Sequence, residues 1–105
     1  MMAMSVHAYD PMWPVMFAAE QAALQSLLRP WLITPVEHIG STSVPGLAAK
    51  PIIDMLAGVA SLDGARQATG PLIQRGYVHT EHRPCALYFY KPAPGDPESI
   101  RITCT

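Results

Sequence analysis

Apolar positions return at two different periods along this chain. Trp13, Phe17, Leu24 and Leu28, with Met16 and Leu27 beside them, recur close to every 3.6 residues, the repeat that lays one face of a helix on a core. Asp10-Pro11 and Pro14 are start signals and Pro30 is a stop. A helix is therefore predicted from Trp13 to about Arg29. Before it, residues 6–9 fit a short strand or an extended arm. After it the period changes. Residues 36–39 and 52–59 are short branched-apolar runs, and the second is nearly continuous, which predicts a central strand covered on both faces. Residues 44–50 lie between two prolines, Pro45 and Pro51, and predict one or two helical turns.

Ser61 is a candidate cap for a further helix whose apolar face is Leu62, Ala65, Ala68 or Thr69, and Leu72 with Ile73. Gly70-Pro71 predicts a kink or two short helices, and Gly76 a helix end. Residues 77–81 form a weak strand signal and ALYFY at 86–90 a strong one. The His82-Arg83-Pro84 segment would connect them, 91–97 would be a loop, and Ile100, Ile102 and Cys104 alternate as in a strand. Helices interspersed with strands in this order predict an α+β (mixed α/β) domain with helices packed on a sheet.

Composition narrows the function. The chain has 105 residues, half of them apolar, and seven Lys/Arg against eight Asp/Glu. One domain of this length buries a modest core. A net charge of −1 argues against general nucleic-acid or membrane binding. No stretch is apolar enough for a membrane span and the start lacks a leader pattern. Cys85 and Cys104 are the only cysteines and form no CxxC. They are expected as reduced thiols in a cytoplasmic protein.

Candidate chemistry concentrates in VEHIGSTSVPGLAAKPIIDMLAGV at 36–59. Gly40-Ser41 follows one strand, and the backbone N–H groups of such a turn, with the hydroxyls of Ser41, Thr42 and Ser43, suit phosphate oxygens. It is neither a Walker loop nor a dinucleotide fingerprint. Asp54 is a carboxylate inside the next strand. It either holds Mg²⁺ or orients an attacking hydroxyl, or it is structural, paired with Lys50 or His38 or capping a helix end. Lys50 either offsets phosphate charge or stays solvated, and His38 either touches substrate or is a satisfied structural histidine. Arg83, Tyr88 and Lys91 would line an anionic pocket if their strand lay beside Asp54. His79 and His82 do not by spacing make a zinc site.

The stretch EHIGSTSVPGLAAKPIIDM at 37–55 closely resembles the signature of the GrpB family, and YDPMWP, ALYFYK and the Gly-Tyr before it are similar to that family as well. The resemblance covers about 6–91. It implies a nucleotidyltransferase-like mixed sheet with flanking helices. It also implies a Gly-Ser turn that holds phosphate, carried over to Gly40-Ser41, and a first metal carboxylate, Asp54. The second carboxylate position falls on Leu56, and the family's His-x-His strand falls on Arg101 and Thr103. The family continues as helices for which residues 1–105 offer no counterpart. The expectation is a chain that binds a nucleotide or other phosphorylated small molecule, with Mg²⁺-dependent nucleotidyl transfer as one outcome. The alternative outcome is a binding or regulatory module without turnover, or an interaction protein that forms a homodimer.

Overall fold

The computed structural model describes residues 6–79, 86–93 and 96–105, and the backbone alone of 92, 93 and 96–99. Helix α1 spans Met12–Leu28. The Asp10 carboxylate accepts the Met12 N–H at 2.8 Å, which satisfies one of the donors a helix start leaves open. The helix buries Trp13, Leu24 and Leu28, and with them Glu20. Met16 faces out. Strand β1 is Glu37–Ile39 and β2 is Ile53–Ala57.

Helix α2 (Leu62–Ala65), a 3-10 turn at Arg66–Ala68 and α3 (Thr69–Gln74) follow. Ser61 Oγ accepts the Gly64 N–H at 3.1 Å, the predicted cap. The break falls at Arg66–Ala68, not at Gly70-Pro71. Pro71 sits in the first turn of α3, where its missing N–H costs nothing. Gly76, at φ +103, ends α3, and the Tyr77 N–H reaches back to the Leu72 carbonyl.

Strands β3 (Val78–His79), β4 (Leu87–Ala93) and β5 (Asp96–Cys104) complete a five-stranded mixed sheet in the order β1-β2-β5-β4-β3. Among these, β2 and β5 run parallel and the other neighbours antiparallel. The fold is thus α+β, as expected. The predicted loop at 91–97 is instead the end of one hairpin, with β4 running to Ala93 and β5 starting at Asp96. The middle strand is β5, and β2 lies one in from the edge.

The pleat sorts the side chains. Ile53, Met55 and Ala57 of β2 are buried, with Ile102 and Cys104 of β5 and Leu87 and Phe89 of β4. These register partners share one face and form a single core with Trp13, Leu24 and Leu28 of α1 and Ala65, Ala68 and Leu72 of α2 and α3. The alternate positions, Asp54, Leu56, Tyr88, Tyr90 and Thr103, are only half-buried and Arg101 is exposed. So, among the described residues, β2 is fully covered on one face only. Its apolar run misleads because Leu56 is apolar yet stands on the open face.

Helix α1 also fixes where β1 begins. Gln21 Nε2 donates to the Val36 carbonyl at 2.8 Å and Gln25 Oε1 accepts the Val36 N–H at 3.0 Å. A buried backbone segment outside the ladder thereby keeps its hydrogen bonds. At the other end of the sheet the Glu20 carboxylate is held by Arg75, Tyr77 and Lys91.

Candidate functional site

The turn after β1 is tighter and earlier than predicted. A 3-10 turn occupies Ser41–Ser43, and 44–50 carries no helix, with Ala49 bridged instead to His7. The cause is local. Ser43 Oγ and its N–H both return to the Gly40 carbonyl, and the Val44 N–H returns to Ser41. The turn is closed before Pro45 is reached.

Gly40 has φ +77 and ψ −172, a region that only glycine occupies readily. Its backbone lies directly against Asp54: a Cβ at Gly40 would stand 3.4 Å from the Asp54 Cβ and 3.5 Å from Oδ2. The antiparallel register, Ile39 opposite Asp54, produces this approach. The bend and the acid therefore open into one cavity of about 450 Å³, whose walls include Gly40, Ser41, Thr42, Lys50, Asp54 and Arg101. That volume lies within the range of small-molecule sites, ~300–1,000 Å³. The N–H groups of Ser41 and Thr42 make no hydrogen bond among the described residues.

Asp54 pairs with neither Lys50 nor His38. Its partner is Arg101, opposite it on β5, with Nη2 3.6 Å from Oδ2. These two side chains also border a second cavity of about 240 Å³, lined by Tyr88, Tyr90 and Thr103. The second cavity is too small to stand alone by the same measure and acts as a side lobe of the first.

The hydroxyls near the turn differ in availability. Thr42 is buried, and its one hydroxyl proton goes to the Ile52 carbonyl at 2.7 Å. His38 Nε2, 2.9 Å from Thr42 Oγ1, must then carry a proton and donate it. The His38 ring stacks on Phe17 with centroids 4.8 Å apart. Desolvation by burial holds its pKa below the usual histidine value, partly opposed by the Asp54 charge. His38 points to the helix side of the sheet, opposite Met55, and is absent from the cavity walls. Its geometry is that of a neutral clamp on the turn. Ser43 is likewise spent on Gly40, which leaves Ser41 as the exposed hydroxyl of the three.

Lys50 is exposed on the cavity wall and forms no ion pair among the described residues. Tyr88 reaches the side lobe, but β5 stands between its strand and β2. Lys91 points to the helix side and binds Glu20. Arg83, His82 and Cys85 lie outside the described residues.

Arg101 is the residue that sequence reasoning did not place in the site. The signal was present, since the GrpB resemblance marked 101 as a His-x-His position. The β2–β5 pairing that carries it to Asp54 spans 47 positions and has no local trace.

The divalent cation implied by the resemblance can be tested against this donor set. Mg²⁺ sites use carboxylates and other oxygens in near-octahedral order, and two-metal transfer needs several carboxylates. Here Leu56 stands at the second acid position, and a guanidinium faces the first. Among the described residues no three His, Cys, Asp or Glu side chains converge. The residues do not fit the ion. Nor is any helix among the described residues long and apolar enough to cross a membrane.

Comparison with known proteins agrees with the overall fold. The chain is 41% identical over 88 residues to a UPF0157 protein of Pseudomonas aeruginosa, covering 81% of this chain and 36% of that one. It is 51% identical over 61 residues to a UPF0157 protein of Halalkalibacterium halodurans, 58% of this chain and 30% of that one. It thus spans about a third of the length of these relatives. A dephospho-CoA kinase of Mycolicibacterium paratuberculosis is 36% identical over 81 residues, but only 18% of that protein is covered. The crystal structure of conserved protein GrpB from Enterococcus faecalis superposes with a TM-score of 0.86 at 32% identity, over 95% of this chain and 60% of that one. The family model described as GrpB protein matches residues 3–103, and the chain belongs to the GrpB family.

Proposed function

We propose that this chain binds a phosphorylated small molecule at the Gly40-Ser41 turn and does not turn it over. The observation that supports this most is the make-up of one cavity wall: the Gly40-Ser41 turn with its exposed Ser41 hydroxyl, Lys50 and Arg101 against a single carboxylate, Asp54. Two cations against one anion leave the cleft positive by one charge in a chain whose net charge is −1. A concave site of that sign collects anions. Preorganised N–H groups suit phosphate oxygens. The side lobe at Tyr88 and Tyr90 offers an apolar wall for whatever the phosphate is attached to. Nucleotidyl transfer through Mg²⁺ is the weaker reading, since Leu56 and Arg101 occupy positions a metal site needs. The dephospho-CoA kinase relative supports the same broad ligand class, although most of that enzyme lies outside the similar stretch.

The test is a binding screen by amide NMR with inorganic phosphate, adenosine 5′-monophosphate, ribose 5-phosphate and dephospho-CoA. Shifts are expected at Ser41 and Thr42 for at least one probe. Lys50→Met is expected to weaken that probe by about threefold to tenfold, the size of one charge-assisted contact. No binding by any probe to the wild-type chain would sink the reading.

A further inference from the structure

We infer that the Arg101 guanidinium is the charge partner of the bound phosphate and takes the place of a divalent cation, so that binding here is independent of metal. The inference rests on the phosphate reading of the Gly40-Ser41 turn and names what would anchor the ligand there.

Four observations carry it. Arg101 and Asp54 are register partners on the parallel strands β2 and β5. Together they border both the main cavity and its side lobe, and thus sit where the two meet. Their contact is loose, 3.6 Å, with the side chains 44% and 28% exposed. A pair that open to water contributes little, so a phosphate can draw the guanidinium off the carboxylate at small cost. Arginine has five donors in a planar fork, and one carboxylate contact leaves most of them for the cleft. The fork also matches phosphate geometry better than a lysine ammonium does. Finally, a divalent cation bound to Asp54 would lie beside a fixed positive charge and would lack a second acid, because position 56 is leucine.

The roles of Asp54 in the two schemes have opposite signs, which makes the experiment decisive. In a metal site the Asp54 carboxylate is a ligand, and its loss abolishes binding. In the arrangement inferred here Asp54 competes with the phosphate for Arg101, and its loss helps or leaves binding unchanged. Adenosine 5′-monophosphate and inorganic phosphate would be titrated into the intact chain by amide NMR, once with EDTA and once with Mg²⁺.

The expected result is the same affinity within about twofold in both buffers. Arg101→Met should weaken binding about tenfold or more, Arg101→Lys should restore part of it, and Asp54→Asn should bind as tightly as wild type or tighter. Circular dichroism and urea midpoints would verify that the variants are folded. Binding that needs Mg²⁺, or that disappears in Asp54→Asn, would overturn the inference. Wild-type binding that survives Arg101→Met unchanged would overturn it too, while leaving the phosphate reading intact. No binding of either probe in either buffer would overturn the inference, and the phosphate reading falls with it if ribose 5-phosphate and dephospho-CoA fail to bind as well.

Discussion

Lys91 Nζ meets both carboxylate oxygens of Glu20, at 2.9 and 3.1 Å, and so ties the middle of α1 to β4 across 71 positions of sequence. The same carboxylate accepts from Arg75 Nε at 2.9 Å and from the Tyr77 hydroxyl at 3.2 Å. The Lys91 ammonium lies 5.3 Å from the centre of the Tyr77 ring, within cation–π range. Glu20 is 6% exposed. A buried acid is tolerated only when its lone pairs are filled, and here three donors from two segments, the α3–β3 connection and β4, fill them.

Glu20→Gln should therefore destabilise the fold by about 2–4 kcal/mol, because it strips the counter-charge from Lys91 and Arg75 while keeping the shape. The urea midpoint at pH 7 measures this. A change below about 0.5 kcal/mol would mean that the cations simply turn to solvent.

Acid should weaken the fold in two stages. Burial pulls the Glu20 carboxyl upward, but the Lys91 and Arg75 hydrogen bonds and charges outweigh it and leave its pKa below the usual 4.5. Burial also holds His38 below its usual 6.5, with Asp54 opposing. In both cases the unfolded chain takes up the proton first, so stability is whole above the unfolded pKa and is lost as pH falls through the folded one. The His38 contribution is expected to fade below pH 6.5 and the Glu20 contribution only below 4.5. Urea midpoints taken from pH 7.5 to 5.5 should decline, and His38→Gln should flatten that decline. An equal slope in the variant would place the titrating group elsewhere.

Gly40→Ala should cost about 1–3 kcal/mol, the usual range for a side chain forced into a glycine-only backbone region. It should also shift the turn, because a side chain at φ +77 is strained even though the new methyl would only touch the Asp54 Cβ at an ordinary 3.4 Å. Amide shifts at Ser41, Thr42 and Asp54 would record the displacement, and an unperturbed turn would contradict it.

Cys104 is fully buried, and burial pushes its thiol up to about 11. The thiolate is the reactive form. In the native protein at pH 8 iodoacetamide should leave Cys104 unmodified for hours, with alkylation appearing as urea is added. Peptide mass mapping distinguishes it from Cys85. Rapid native labelling of Cys104 would show that β5 opens far more readily than its central place suggests.

Much of this was legible from local signals. The stripe Trp13, Phe17, Leu24, Leu28 located α1, Ser61 and Gly76 marked helix ends, and the alternation of Ile100, Ile102 and Cys104 gave the buried side of β5. What escaped depended on distant partners. Glu20 sits on the apolar stripe, and the residues that make its burial acceptable are 55 to 71 positions away. Arg101 belongs to the site only because β5 lands beside β2. The helical turn expected at 44–50 forms within the small-residue bend itself, at Ser41–Ser43: prolines mark boundaries strongly, whereas the Ser43 hydroxyl that closes the bend earlier leaves no periodic trace. The small residues after one strand and the lone acid inside the next located the Gly40-Ser41 bend and Asp54, with the GrpB resemblance pointing to the same two, and the structure brings them to a shared cavity.

The middle strand of the sheet, β5, comes after its four companions in sequence, and this has a consequence for assembly. The β1–β2 pair is complete once Ala57 is made, yet Asp54 acquires its neighbour only when β5 wedges between β2 and β4. Closing that gap demands contacts of long sequence separation, the slow kind. Refolding followed by a probe in β1 should then run ahead of one in β5, and a partly synthesised chain would expose two unsatisfied strand edges, the kind that invite sticking to other chains.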